Sequence, residues 1–381
     1  MKHSASLLIQ DPDGAYLVIQ RSNTCNNFQG YWEFPGGKID AGESPATALQ
    51  REVREETGIE APRFDDAQGF RIATPNGAVE YTFFAWRCDA RLTVRLSDEH
   101  QAFQWVRFEA ARKLSEMMQP HRQFLEQHWH QQQIKAYQQE LPHYKVFAEA
   151  LKRILENACA TSLPETIVQA RPKSIPSFAE KCIRRMDRYP DPIRQLTDLC
   201  GGRVIVQTLE QVEAVCRFVE RHFKIVEKDD KTSHLNTDQF GYRDMHYIVQ
   251  VPAGCSLAFT DEERRAIGDR RAELQVRTLV QHAWADILHD RMYKTPLRLA
   301  AEAKRTGNLL AAVLEEGDRG FNRLATDLDG MIANYSAYAS ENNVEKEIRV
   351  HQLLLAGETK PEQQPKLALQ LARLIAARDQ W

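Results

Sequence analysis

Three glutamates carry the first recognisable chemistry of this chain. Glu52, Glu55 and Glu56 stand at i, i+3 and i+4, a spacing that gathers their carboxylates on one side of a helix. Gathered carboxylates repel one another, and a hard divalent cation, which takes oxygen ligands and phosphate, offsets that repulsion. The flanking residues write the helix itself. Ser44 suits the N-cap, Pro45 the first helical position and Gly58 the residue just past the end. Ala46, Leu49 and Val53 form a narrow apolar face, and Arg51 is placed to orient a neighbouring glutamate. A solvated Glu/Arg helix face would give the run from Arg51 to Glu56 by itself. It would not also fix Gly37, Glu43, Gly58 and Ile59 at their distances.

Together these residues fill every fixed position of Gly-x5-Glu-x7-Arg-Glu-U-x-Glu-Glu-x-Gly-U, where U is apolar. The stretch from Gly37 to Ile59 resembles the Nudix box of pyrophosphohydrolases. The preceding Glu33-Phe34-Pro35-Gly36-Gly37-Lys38-Ile39 resembles the MutT branch, which cleaves nucleoside triphosphates. The resemblance implies that Glu52, Glu55 and Glu56, with Gly37, hold Mg²⁺ or Mn²⁺ against a diphosphate, and that Glu52 or Glu99 takes the proton from water. Glu99 precedes the strand ending Gln104-Trp105-Val106, where such enzymes often carry another metal ligand or base.

A second constellation lies further on. Ala272 to Thr278 reads as a strand entering a helix, and period two puts Glu273, Gln275 and Arg277 on one face with Leu274 and Val276 toward the core. Such a face is either an exposed sheet surface or the floor of a site. Upstream stand Arg171-Pro172-Lys173 with Ser177, then Asp198 and Arg203 within Leu196 to Val206, then Lys231, then Gly241-Tyr242 leading to His246. In order these segments read R-x-K-x3-S, D-L-x-G-x-R, G-Y-x-x-x-H and E-x-Q-x-R-T. From about Pro120 to Ala325 they resemble the RelA/SpoT nucleotide pyrophosphokinase domain. The resemblance implies transfer of the β,γ-diphosphate of ATP to a ribose 3′-hydroxyl. Glu273 would activate the hydroxyl and share Mg²⁺ with Asp198. Arg171 and Lys173 would grip ATP with help from Ser177, and Lys231 would add a phosphate contact. Tyr242 would stack on the acceptor base, usually guanine, with His246 close by, while Gln275 and Arg277 would line the floor. Two departures stand out. Asp238 occupies a position where alarmone synthetases usually have lysine. Tyr247 after His246 resembles toxin-like small members, some of which pyrophosphorylate the 3′ end of tRNA.

The elements that position these residues follow from local pattern. Ser4–Gln10 and Tyr16–Arg21 read as a hairpin across Asp11-Pro12-Asp13-Gly14; Val79–Cys88, Arg91–Leu96 and Ala102–Arg107 read as further strands. Residues 1–113 are expected to form a Nudix α/β/α sandwich. Residues 114–325 would form a RelA/SpoT synthetase with a helical connector, its mixed, nucleotidyltransferase-like sheet flanked by helices. Residues 326–381 would form a helical extension suited to oligomerisation or regulation. The connector, rich in Gln and His from Gln127 to Gln133 and poor in Gly, Ser and Pro, reads as helix rather than tether.

At 381 residues the chain is long for one core. No run approaches the roughly 18 apolar residues that span a membrane, and the first ten residues read as too short and soon too polar for a signal peptide. The seven cysteines are scattered and form no CxxC pair, which suits a reducing cytoplasm rather than a disulfide framework or zinc site. Net charge is −3, so RNA binding would need a local patch, for which Lys181, Arg184, Arg185, Arg188 and Arg194 are candidates; a solvated helix face is the simpler account of that run. His282 and His289 share a helix face, where packing is expected rather than metal binding. The expected function is a two-enzyme chain: a diphosphate transfer from ATP to GDP or GTP, and a Nudix hydrolysis of that product or a related nucleotide. A tRNA-modifying toxin with a Nudix neutraliser and a nucleotide sensor that binds without reacting are the alternatives.

Overall fold

A computed structural model describes residues 2–25, 27–74, 77–234, 240, 244–252, 258–289, 300–333, 338–357 and 363–379. The chain forms two compact units, Met1–Tyr137 with Ile175–Gln195, and Gln138–Ser174 with Leu196–Trp381.

The first unit is built on a seven-stranded sheet of β1 (Lys2–Gln10), β2 (Tyr16–Arg21), β3 (Trp32–Glu33), β4 (Gly36–Lys38), β5 (Phe70–Ala73), β6 (Val79–Arg87) and β7 (His100–Val106). Its path runs β3-β2-β1-β6-β5, with β4 paired to β1 and β7 to β2; β1 and β6 are parallel, from Lys2↔Val79 to Gln10↔Arg87. The expected hairpin turn is present: Gly14 has φ 85° and the Asp11 carboxylate accepts the Ala15 N–H at 2.8 Å. The strands then splay, and β1 meets β2 only at Gln10↔Tyr16.

Helix α1 (Pro45–Thr57) begins as its caps dictate. The Ser44 hydroxyl accepts the Thr47 N–H, and Gly58 closes the helix in the left-handed region at φ 68°. Its buried Ala48, Leu49 and Val53 pack on Ala5, Leu7, Ile9, Leu17, Ile19 and Phe84. Full burial of a residue such as Leu49 or Val53 contributes about 1.5–3 kcal/mol. The other sheet face carries Phe83, stacked on Phe124 at 4.7 Å from helix α3 (Gln119–Cys159), which follows the short α2 (Phe108–Ala111). The unit also contains α4 (Ile175–Arg184) and α5 (Pro192–Gln195).

One expected strand is absent. Arg91–Leu96 has the right alternation, and Leu92, Val94 and Leu96 pack on the α1 core, but the segment pairs with no strand. Instead Arg95 N–H and Ser97 N–H donate to the Thr57 and Glu56 carbonyls at the end of α1. Period two records which side faces the core, and here orphan helix carbonyls supply the acceptors. The connector is helical, as its composition implies; α3 runs 41 residues and carries Pro142 inside it.

The second unit has a five-stranded sheet in the order β10 (Lys224–Asp230), β11 (Met245–Gln250), β12 (Ala272–Thr278), β9 (Cys200–Val206), β8 (Ile167–Pro172). Only β12 and β9 are parallel. One face is covered. A Cβ on Gly202 would press on Leu151 of α3 and on Leu274, and Tyr247 on that face donates to Glu220 of α6 (Leu209–His222) at 2.7 Å. The remaining helices are α7 (Asp261–Ile267), α8 (Leu279–Trp284) with a π turn over Ala285–His289, α9 (Ala301–Ala333), α10 (Glu341–Ala356) and α11 (Gln364–Arg378). The sequence from Val344 to Trp381 reads as two helices split by Gly357 to Pro365, and α10 and α11 divide in that stretch. No helix among the described residues is long and apolar enough to cross a membrane.

Candidate active sites

The first centre forms where α1 passes β4. Glu56 is buried, and its Oε2 accepts the Gly36 N–H at 2.7 Å. Glu52 lies beside Gly37, whose missing side chain is essential: a Cβ there would fall inside the Glu52 carboxylate. Glu55 points outward and is 56 % exposed. Arg51 ties the group together. Its guanidinium donates to both Glu43 oxygens at 3.2 and 3.0 Å, to Glu52 at 2.8 Å, to Glu55 at 3.4 Å and to the Lys38 carbonyl at 3.2 Å. Glu99 sits exposed in the turn before β7, near enough for its charge to act on both Glu52 and Glu56.

Electrostatics separates these acids. Burial pushes Glu56 well above the ordinary carboxyl range, and the charges of Glu33, Glu52 and Glu99 add to it. Glu52 is also raised, chiefly by burial, with Arg51 opposing. Perturbed acids of this kind gather at functional sites.

A second set of side chains backs the centre, and the sequence did not single it out. His100 Nε2 lies 3.3 Å from Glu33 Oε1 and 3.7 Å from Glu56 Oε1, and Arg21 donates to Glu33 at 2.9 Å. Glu33, Glu56 and His100 are all buried, with ligand atoms within 4.8 Å of one another. Burial alone would raise Glu33, but the hydrogen bond from His100 and the charge and hydrogen bond of Arg21 outweigh it and leave Glu33 low. His121, buried, accepts the Phe34 N–H on Nδ1 at 3.0 Å and is pushed down to about 4 by burial. The only sequence signal for Glu33 was its place ahead of Phe34-Pro35-Gly36; His100 and His121 had none beyond their type.

The second centre occupies the open face of the second unit's sheet. Strand register aligns Arg171, Gly201, Glu273 and Ile248 in one row and Gln169, Arg203, Gln275 and His246 in the next. Gly201 carries no side chain, and a Cβ there would meet nothing closer than the Arg171 carbonyl at 4.0 Å, so the row between Arg171 and Glu273 is open. Lys173 reaches Asp198 at 2.8 Å, just before β9. Gln275 Nε2 donates to Glu273 Oε1 at 2.9 Å, and His246 Nδ1 lies 3.6 Å from the same oxygen. Lys231 pairs with Asp229, the cross-strand partner of His246.

Arg277 is placed differently from a floor residue. It is 1 % exposed, and its guanidinium is taken by Asp244 at 2.9 Å and by Gln275. Ser177 lies on α4, in the first unit. Tyr242 and Asp238 lie outside the described residues. Tyr247, the feature reminiscent of tRNA-modifying members, is fully buried on the opposite face from His246 and serves the core. Within the basic run, Arg184 is tied to Glu180 and Arg194 to Asp191, as on a solvated helix. His282 lies near Arg203 and Arg277, whose charges join burial in pushing it down.

Comparison with known proteins finds two separate families along the chain. Residues 2–128 match the NUDIX domain, and residues 170–297 match the region found in RelA / SpoT proteins. The asymmetrical bis(5′-nucleosyl)-tetraphosphatase of Mus musculus is 34 % identical over 106 residues, 26 % of this chain and 69 % of that protein. GTP pyrophosphokinase YjbM of Bacillus subtilis is 28 % identical over 160 residues, 42 % of this chain and 70 % of that protein. An octanoyltransferase of Myxococcus xanthus is 42 % identical over 99 residues, but the match spans 25 % of this chain and only 27 % of that protein's length.

Proposed function

The chain belongs to the Nudix family through residues 2–128 and joins to it a RelA/SpoT region at residues 170–297, and from that premise we propose a bifunctional nucleotide enzyme. One centre transfers the diphosphate of ATP to the ribose 3′-hydroxyl of GDP or GTP. The other hydrolyses a nucleoside di- or triphosphate or the alarmone itself. The observation that carries this reading is the presence of two separate carboxylate centres, each beside its own basic side chain and each in its own compact unit.

In the Nudix centre, Glu52, Glu55, Glu56 and the Gly37 main chain would hold Mg²⁺ or Mn²⁺, and the close approach of the Glu52 carboxylate to the Gly37 backbone fits that use. A bound ion neutralises the diphosphate and lowers the pKa of an attacking water. Arg51 fixes the Glu52 carboxylate, Gly36 and His100 fix Glu56, and Glu52 or Glu99 takes the proton.

In the transfer centre, Asp198 and Glu273 would be the oxygen donors for a second Mg²⁺, and Glu273 would accept the hydroxyl proton. Arg171, Lys173 and Lys231 grip phosphates, which suits arginine as a bidentate ligand and lysine as a point charge. Tyr242 stacks on the acceptor base, and His246 and Gln275 border the reacting acid. The scattered cysteines, with no CxxC pair, suit a cytoplasmic setting for this chemistry.

The test is to incubate the protein with ATP labelled in its terminal phosphates and, separately, GDP, GTP, ADP and tRNA. Label on GDP or GTP is expected. Label on tRNA alone would move the function to RNA modification, and no transfer to any acceptor would leave the second centre without this role.

A further inference from the structure

We propose that Asp244 is a positioning residue of the transfer centre, holding the His246 imidazole by its Nε2 so that Nδ1 faces Glu273. The proposal rests on the transfer reading above and adds a residue that reading does not use. Asp244 is two residues before His246 and directly precedes β11, so strand alternation puts both side chains on one face of the sheet. Met245↔Val276 and His246↔Gln275 set the register, which brings Asp244 opposite Arg277 on β12.

The contacts follow that register. Asp244 is 3 % exposed and Arg277 1 % exposed, and they form an ion pair at 2.9 Å. A buried carboxylate needs such a partner, since removing one member of a buried pair leaves an uncompensated charge. The same Asp244 Oδ2 lies 3.2 Å from His246 Nε2. A carboxylate only accepts hydrogen bonds, so the proton of this contact belongs to Nε2. That fixes both the tautomer and the ring plane of His246, the logic by which a buried acid orients a working histidine. The opposite ring atom, Nδ1, is then turned to Glu273 Oε1 at 3.6 Å.

Asp244 also reaches the phosphate side of the centre through its main chain. Its carbonyl accepts the Lys231 N–H at 3.0 Å. One buried residue therefore sets the orientation of His246, fixes the guanidinium of Arg277 beneath Gln275, and holds the backbone of Lys231. The floor residue Gln275 is in turn contacted by Arg277 and by Arg203 at 3.3 Å. Arg277, expected on the floor, acts instead as the counter-ion beneath it.

The experiment has two arms on the full chain. First, the His246 imidazole is labelled with ¹⁵N and its tautomer read by NMR in the wild type. A proton on Nε2 is expected, and a proton on Nδ1 alone overturns the proposal, whatever the enzyme's activity. Second, diphosphate transfer is compared for wild type, Asp244→Asn, His246→Ala and the double variant. Asp244→Asn is expected to lower kcat about 10- to 100-fold with KM for ATP within about twofold, the usual scale for a residue that orients a site group. In the His246→Ala background the same substitution is expected to cost at most a few-fold, because most of its effect runs through the ring. Full kcat in Asp244→Asn, or the same fold loss in both backgrounds, refutes it. If the wild type transfers no diphosphate at all, the transfer reading fails while the tautomer arm still decides the geometry.

Discussion

His121 shows how one residue can make the first unit acid-sensitive. It is fully buried against Phe34, Tyr81 and Phe83, and its Nδ1 must stay unprotonated to accept the Phe34 N–H. Burial lowers it from 6.5 to about 4. A base lowered on folding binds fewer protons in the native state, so stability is present above the unfolded value and is lost as pH falls. The loss should run from about pH 6.5 to about pH 4 and amount to roughly 3 kcal/mol. His128, also lowered to about 4 by burial, acts in the same direction. His121→Gln, which retains an acceptor and cannot be protonated there, should flatten much of this acid limb. Urea unfolding of both proteins across that range checks it; equal pH slopes would count against the assignment.

At the scale of the element, β4 separates folding from chemistry in two adjacent glycines. Gly36 has φ 146°, and a Cβ there would collide with the Ala5 carbonyl and Ser6 of β1. Backbone cannot move aside as a side chain can, so Gly36→Ala should cost more than about 3 kcal/mol and yield little folded first unit. The three atoms nearest the Cβ of Gly37→Ala all belong to the Glu52 carboxylate, the end of a flexible side chain. That variant should fold, with melting close to wild type, yet lose most hydrolysis because Glu52 is displaced. Melting curves and hydrolysis assays on the pair give the answer. If Gly37→Ala keeps full hydrolysis, the cradle is not the working site.

At the scale of the whole molecule, each activity should be removable alone. Glu56→Gln should remove hydrolysis and leave transfer intact; Glu273→Gln should do the reverse. The supporting observation is that the two carboxylate sets belong to different compact units. A hydrolase fused to a synthetase is always present in equal amount and can hold its product at a low steady level. Cells carrying Glu56→Gln should then accumulate the transfer product and grow slowly, and cells carrying Glu56→Gln with Glu273→Gln should recover. Equal product in wild type and Glu56→Gln would assign the Nudix half to an unrelated nucleotide.

The sequence by itself determined the parts that depend on short range. Helix α1 with both its caps, strands β2 and β12 to the residue, the helical connector and the two tail helices all follow from spacing, caps and periodicity within a dozen residues. The same local order made the first carboxylate set visible, because Glu52, Glu55 and Glu56 share a helix, whereas Asp198 and Glu273 lie far apart in the chain and were joined only by the order of four motifs. Tertiary structure decided what crosses between elements. Arg91–Leu96 has the alternation of a strand, but the carbonyls ending α1 took its hydrogen bonds. Arg277 has the spacing of a floor residue, but register placed it opposite Asp244 and burial made it a counter-ion. Glu33 and His100 are 67 residues apart and meet only because β3 and β7 both pair with β2. Periodicity fixes which face a side chain occupies; which groups share that face, and which charges are buried there, depends on pairings that local sequence does not encode.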